Sequence, residues 1–243
     1  VTDTRLVRDM RFALKENNSS VLMYPEASYS FDGTATPLPE SLGSCLKLLG
    51  VPVIMIRTFG AFARDPLYNN LQRRRVKVTA EIEYILSPQQ IKESTPEQLN
   101  DILKQQFSFD HFRWQQQNGV RIKEKFRADF LNRVLYQCPH CLTEGSMVGK
   151  GTHLTCEHCG AAYELTELGE LRALEGEAKF THVPDWYRWQ RQEVRKELEA
   201  GTYKLVLDQE GEAMVSGLSV NVNGVTKELP ATTGWDNWVT VET

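Results

Sequence analysis

Apolar and polar positions in the N-terminal third of the chain follow two different periods, which predicts helices interleaved with strands. Apolar residues at helical spacing cover 3–16 and again 42–49. Continuous apolar runs at 21–24 and 51–56 predict two buried strands, and strict alternation over 76–83 predicts a half-exposed strand. This order of helix, strand, loop, helix and strand within a short stretch favours parallel α/β packing. A sheet of that kind binds its ligand at the end of a strand.

The pattern changes several times further along the chain. A helix over 96–106 begins with Thr95 as its N-cap, and charged amphipathic helices are predicted over 120–134 and 184–198. From 201 onward, Val, Thr and Gly with turn signals predict β structure. We therefore expect five segments: 1–86, a partial α/β domain; 87–134, a helical connector; 135–173, a small cysteine-containing module; 174–200, an amphipathic helix; 201–243, a β-rich tail that is truncated.

Composition and charge narrow the class of protein. The 243 residues are 25% charged and 41% hydrophobic, with a net charge of −4, as in ordinary globular proteins. No apolar run is long enough to span a membrane, and a dedicated nucleic-acid binder would carry a basic excess. The basic run at 73–77 is either a solvated strand edge or a contact for anionic lipid headgroups. Since the chain starts at Val1 and ends within a strand pattern, we expect a fragment.

Two Cys-x-x-Cys pairs, Cys138/Cys141 and Cys156/Cys159, predict a metal site. Their separation suits four thiolates around one tetrahedral ion, with short strands between and after the pairs, as in a zinc ribbon. Four thiolates fill the coordination sphere of zinc, so the ion should be structural rather than catalytic. Such an ion would allow a module of this size to fold.

Other interpretations of the cysteines are two disulfides, a redox dithiol or a rubredoxin-like iron site. His140 and His158, inside the pairs, are either solvent-exposed or replace a cysteine as ligand. The fifth cysteine, Cys45, lies on the apolar side of a helix and is expected to be a core thiol.

Two segments of the N-terminal part resemble blocks of a known enzyme family. Tyr24-Pro-Glu-Ala-Ser-Tyr-Ser30 and the apolar run 51–56 resemble the third and fourth blocks of glycerol-phosphate and 1-acylglycerol-3-phosphate acyltransferases. Residues 1–85 carry the resemblance, and the cysteine module looks like an extension of a bacterial branch. The resemblance implies the C-terminal part of an enzyme that transfers a fatty acyl group from coenzyme A or acyl carrier protein to a glycerol-phosphate hydroxyl.

The resemblance also implies a site and a location. Glu26, with Ser28 and Ser30, would bind the acceptor. Without the resemblance, Glu26 would be interpreted as an N-cap or loop carboxylate. The protein would be cytoplasmic, at the inner face of the membrane. The fold class implied is α/β with a partial acyltransferase-type sheet, plus a zinc ribbon and a C-terminal β segment.

The chain departs from the family pattern at its catalytic block. None of the five histidines has an aspartate at the spacing of the family's His-x-x-x-x-Asp pair. Tyr29 also stands where the third block has an arginine that would clamp phosphate. Because proton transfer lacks its base, we expect the chain to be inactive alone.

The tail has a weaker resemblance of its own. Residues 200–203, 218–224 and 229–238 together resemble part of a family-six carbohydrate-binding module. Trp235 and Trp238 would be its sugar-stacking residues, although such tryptophans are more often core anchors. The alternative to the enzyme is therefore a non-enzymatic zinc-ribbon module whose β tail contacts a protein or glycan.

Overall fold

The computed structural model describes residues 4–202, 205–207, 211–216, 219–222 and 225–228. The chain forms two compact units, which divide between Tyr187 and Arg188. In the described residues the α-helices are α1 (Thr4–Lys15), α2 (Ser41–Leu49), α3 (Ala61–Arg64), α4 (Pro88–Glu93), α5 (Pro96–Phe107), α6 (His111–Gln117) and α7 (Val183–Ala200). The strands are β1 (Val53–Phe59), β2 (Thr79–Leu86), β3 (Met147–Lys150), β4 (His153–Cys156), β5 (Ala162–Leu165), β6 (Leu171–Ala173), β7 (Leu205–Leu207), β8 (Gly211–Ser216), β9 (Ser219–Val222) and β10 (Val225–Glu228). The five segments expected from the sequence stay a prediction.

The crossing of α2 and α5 forms an apolar core in the first unit. Its buried side chains are Leu42, Leu46, Leu86, Ile91, Leu99 and Leu103. A Cβ at Gly43 would lie 2.0 Å from the Pro96 carbonyl oxygen, so only glycine permits this approach. The Gly43 N–H donates to Asn100 Oδ1 at 2.7 Å. The helix predicted over 96–106 is confirmed, and it starts with a capping box between Thr95 and Gln98.

Strands β1 and β2 form a two-stranded antiparallel sheet, so the parallel packing expected from the sequence is wrong. The run 21–24 is not a strand, and its Leu22, Met23 and Tyr24 are exposed. The strand predicted over 76–83 lies instead at β2. Apolar runs indicate a tendency to be buried but do not specify which strand is the partner. The chain returns on itself between β1 and β2, and this return gives antiparallel pairing.

Turns and a short 3₁₀ helix occupy 120–134, so the α-helix predicted there is wrong. Arg127 is buried, and its Nε donates to the Leu165 carbonyl at 2.6 Å. Asn69 approaches from another part of the chain, with Nδ2 donating to the Asp129 carbonyl at 3.0 Å. Asn69 Nδ2 also donates to the Phe126 carbonyl, so it takes up two backbone carbonyls that a helix over 120–134 would need for itself.

Strands β3 to β6 form an antiparallel sheet in sequence order. A Cβ at Gly149 would lie 2.4 Å from the Ala128 carbonyl oxygen, so β3 packs closely on the 126–135 segment. Gly151, with φ of 68°, begins the turn between β3 and β4. Gly149 lies inside β3, where the absence of a side chain permits this close packing.

The second unit contains an antiparallel sheet in the order β10-β9-β8-β7 among its described residues. These strands agree with the β structure predicted from 201 onward. The helix predicted over 184–198 is also confirmed, as α7. The turn signals of this segment at 208–210 and 223–224 lie outside the described residues, as do Trp235 and Trp238. No helix in the described part of the chain has the length and apolar character needed to cross a membrane.

Candidate metal centre

The two cysteine pairs form loops of the same backbone design. The Cys138 N–H donates to the carbonyl of Thr143, and the Cys156 N–H donates to that of Ala161, each five residues later. The residue four positions after the first cysteine returns a hydrogen bond to that cysteine's carbonyl in both loops. This residue is Leu142 in the first loop and Gly160 in the second, and both have positive φ. One loop precedes β3 and the other joins β4 to β5.

Backbone N–H groups in both loops point at sulfur. Cys138 Sγ accepts from His140 and Cys141, and Cys156 Sγ accepts in the same way from His158 and Cys159. The second sulfur of each pair accepts from the residue two positions later. Donors arranged this way stabilise thiolates rather than thiols.

The four sulfurs, here called the four-cysteine centre, converge on one point. All lie within 4.8 Å of one another, and Cys138–Cys159 and Cys141–Cys156 are each separated by 3.7 Å. Tetrahedral zinc with Zn–S bonds of about 2.3 Å requires sulfurs about 3.8 Å apart. All five cysteines are free, so the alternative interpretation of two disulfides is not seen. The donor set therefore fits a metal ion with four sulfur ligands.

The thiols of the first pair have opposite pKa shifts. Burial raises the pKa of Cys138 to about 12. Hydrogen bonds from the Thr143 hydroxyl and then its backbone N–H lower the pKa of Cys141 to about 5. Since metals bind thiolates, loading the centre must release a proton from Cys138 near neutral pH.

The histidines within the two loops are not placed as ligands. His140 and His158 are exposed, and the cluster identified among the described residues contains cysteines alone. Cys45 is half-buried, and burial raises its pKa, as expected for a packed thiol.

Trp186, at the start of α7, ties the sheet of the four-cysteine centre into the first unit. It is fully buried, and its Nε1 donates to the Gln137 carbonyl at 2.9 Å, directly before the first cysteine. Its ring meets the Tyr163 ring edge-on, with centroids 5.0 Å apart. The metal loops and the start of α7 are thus packed together.

The residues predicted to bind an acyl acceptor take part in local hydrogen bonds. Glu26 Oε1 accepts from the Thr36 N–H at 2.7 Å and from its hydroxyl at 3.1 Å. Ser30 donates to the Thr34 carbonyl at 2.6 Å, whereas Ser28 is exposed. None of the three lines either described cavity. Their role in binding an acceptor stays a prediction.

The sequence contained no indication of a partly buried acid–base pair. His182 Nε2 lies 2.7 Å from Asp110 Oδ2, although 72 residues separate them. Asp110 is also the N-cap of α6, and its pKa is lowered: burial opposes this, but hydrogen bonds with His182 and the Arg113 N–H outweigh it. The pair joins α6 to the residue directly before α7. Neither residue lies in a described cavity. The only local signal was an aspartate before a helix.

No protein-family model, curated protein or solved structure matches the chain. The site is therefore interpreted from the residues of this chain.

Proposed function

We propose that the four-cysteine centre binds one Zn²⁺ ion with a structural role, and that the chain acts as a non-enzymatic binding module. The observation that carries the proposal is the convergence of four free sulfurs at tetrahedral spacing, supported by backbone N–H donors. Four thiolates leave no open position for water or substrate, so catalysis at the ion is not part of the proposal. Zinc fixes the two loops to each other and holds the sheet of β3 to β6.

Metal analysis tests the identity of the ion. The purified full chain should contain one zinc per molecule and be colourless, whereas a rubredoxin-like iron site would be red. Cys156→Ser should lose the metal, because a hydroxyl is a poor replacement for thiolate. Cys45→Ser is the matched control, since Cys45 is not part of the cluster, and it should retain a full complement. Equal metal content in all three proteins would contradict the proposal.

A second candidate is that residues 1–86 belong to a glycerolipid acyltransferase. Besides the sequence blocks, one observation favours it: the sheet of β1 and β2 has an apolar face that the described residues leave exposed. Ile54 pairs with Tyr84 and Ile56 with Ile82, and all four side chains are more than half exposed. Such a face suits packing against a further layer of an enzyme domain.

The coding DNA tests this second candidate. The sequence upstream of the Val1 codon should encode an in-frame His-x-x-x-x-Asp block, and a chain extended to include it should transfer acyl groups to glycerol 3-phosphate. The 243-residue chain should be inactive in the same assay, because it lacks the base. An initiation codon directly before Val1 would contradict this second candidate, and the binding module would remain as the proposed function.

A further inference from the structure

A basic pocket lies in the first unit, where the chain returns between β1 and β2. Its volume is about 440 Å³, and its lining is Arg64, Arg73, Arg74, Arg75, Val76 and Lys77. Arg64 ends α3, and its carbonyl accepts from the Arg74 N–H, which closes the loop and brings the cations together. The sequence showed the run at 73–77 but gave no sign that Arg64 joins it.

Arg74 is a buried cation with neutral partners. Its side chain is among the buried polar groups, at 4% exposed. Nη2 donates to the Tyr68 hydroxyl at 2.8 Å and, with Nε, to Asn69 Oδ1. Nη2 also donates to the Arg127 carbonyl at 3.0 Å. No carboxylate of the described residues lies within ion-pair distance of Arg74, so its charge is uncompensated, which is costly inside a protein.

A second arginine offers an unused donor to the same pocket. Arg64 Nε is buried and has no hydrogen-bond partner among the described residues. Its nearest ion-pair contact, Asp65 Oδ2, is 4.0 Å away. A buried N–H without an acceptor is rare in proteins, so this donor is available to an acceptor from outside the chain.

The remaining cations strengthen the positive field. Arg73, Arg75 and Lys77 line the pocket, and none forms an ion pair with the described residues. Among the described residues, the carboxylates in contact with this group are Asp65, 4.0 Å from Arg64 Nε, and Glu124, which accepts the Arg75 backbone N–H at 2.6 Å. Two carboxylates against five cations leave a surplus of positive charge that suits a multiply charged anion.

We propose that this basic pocket binds the phosphate group of a phosphorylated ligand. Guanidinium groups match phosphate oxygens through paired N–H donors, and the pocket is larger than a lone carboxylate needs. Arg74 and Arg64 supply buried donors, and the other cations complete the shell. The inference goes beyond the four-cysteine centre and does not depend on which metal that centre holds.

An apolar cavity shares a residue with this arrangement. Tyr68 lines a cavity of about 410 Å³ together with Phe31, Leu67 and Leu71, and its hydroxyl contacts Arg74. An apolar tail would therefore find a surface next to the cations. The experiment accordingly distinguishes a phosphate carried by a lipid from a free phosphate.

The test uses the metal-loaded full chain and inorganic phosphate in isothermal titration calorimetry, with acetate as the singly charged comparison. Phosphate should bind saturably at one site, and acetate should not. The double variant Arg73→Gln/Arg75→Gln should weaken phosphate binding by at least about tenfold, because two charge-assisted contacts are lost. Arg11→Gln/Lys15→Gln removes the same charge from exposed positions of α1 and should change the affinity by less than about twofold.

A vesicle-binding experiment distinguishes a lipid headgroup from a free phosphorylated compound. Binding to phosphatidylcholine vesicles that contain phosphatidic acid, lost in the Arg73/Arg75 variant and competed by inorganic phosphate, would assign the site to a lipid headgroup. Phosphate binding without vesicle binding would assign it to a free phosphorylated compound. No saturable phosphate binding, or equal weakening in the Arg11/Lys15 control, would overturn the proposal. Arg74→Lys keeps the charge but not the paired donors, and it should weaken binding in a chain that still folds.

Discussion

His111 shows at the scale of one residue how burial changes chemistry. Its ring stacks on Phe62, with centroids 5.3 Å apart, and meets Phe109 edge-on at 4.5 Å. Burial lowers its pKa to about 4, against a smaller opposing effect of Asp110. Nδ1 is buried without a hydrogen-bond partner among the described residues. The folded protein therefore holds this imidazole neutral.

We expect His111 to make stability depend on pH. The folded pKa of about 4 lies below the ordinary value of 6.5, so the unfolded chain binds the proton first as pH falls. This contribution is complete above pH 6.5 and is lost as pH falls toward 4. Between about pH 7 and pH 5, the wild type should lose about 2 kcal/mol more than His111→Phe in urea unfolding. Identical pH slopes of the two proteins would contradict the assignment.

Leu142 and Gly160 occupy the same position in their two loops but differ in backbone cost. Their φ values are 66° and 78°, in the left-handed region that suits glycine. Leu142 is 57% exposed, and a Cβ at Gly160 would meet nothing within 4 Å. The effect of a substitution at either position on stability therefore does not come from packing.

Leu142→Gly should therefore stabilise the metal-loaded chain by about 0.5 kcal/mol, and Gly160→Ala should destabilise it by about 1 kcal/mol. Thermal unfolding at matched zinc content measures both. The same direction of change in the two variants would show that strain at this position is not the cause.

At the scale of elements, the α2–α5 crossing depends on one missing Cβ. Gly43→Ala places that atom 2.0 Å from the Pro96 carbonyl, so the helices must separate and the Asn100 hydrogen bond must lengthen. We expect a loss of about 3 kcal/mol in the free energy of unfolding. Ser44→Ala, on the same helix but not among its buried residues, is the control and should change stability by less than about 0.5 kcal/mol. Chemical denaturation compares them, and equal effects would contradict the close packing.

At the scale of the first unit, the four-cysteine centre supports more than its own loops. The sheet of β3 to β6 contributes Leu154, Leu165 and Leu171 to the interior, each at most 2% exposed, and Trp186 packs beside it. The core of α2 and α5 is a separate cluster of side chains. Loss of the metal should therefore open one part of the unit before the other.

Hydrogen exchange read by mass spectrometry tests this order. After zinc removal by a chelator, amides of 136–173 and of 126–135 should lose protection first, because β3 packs on that segment through Gly149. Amides of α5 should stay protected under the same conditions. Simultaneous loss across both regions would show that the unit unfolds as a whole when the metal leaves.

How much the sequence could predict depended on how local each feature is. The N-cap at Thr95 and the close spacing within each cysteine pair involve residues a few positions apart, and both the helix start and the ligand set were predicted. The Asp110–His182 pair and the Arg64–Arg74 loop were not, because neither has a local pattern. The helix predicted over 120–134 failed because Arg127 and Asn69 form tertiary hydrogen bonds in that region.

The sequence by itself determined the helices with strong caps, the four candidate ligands and the β character of the tail, because these follow from backbone propensity and short spacing. Only the tertiary structure decided that β1 and β2 pair antiparallel, that Arg74 is buried without a counter-charge and that Glu26 bonds to its own loop. Those outcomes depend on which distant backbone and side-chain groups compete for the same partners, and that competition is settled when the chain packs.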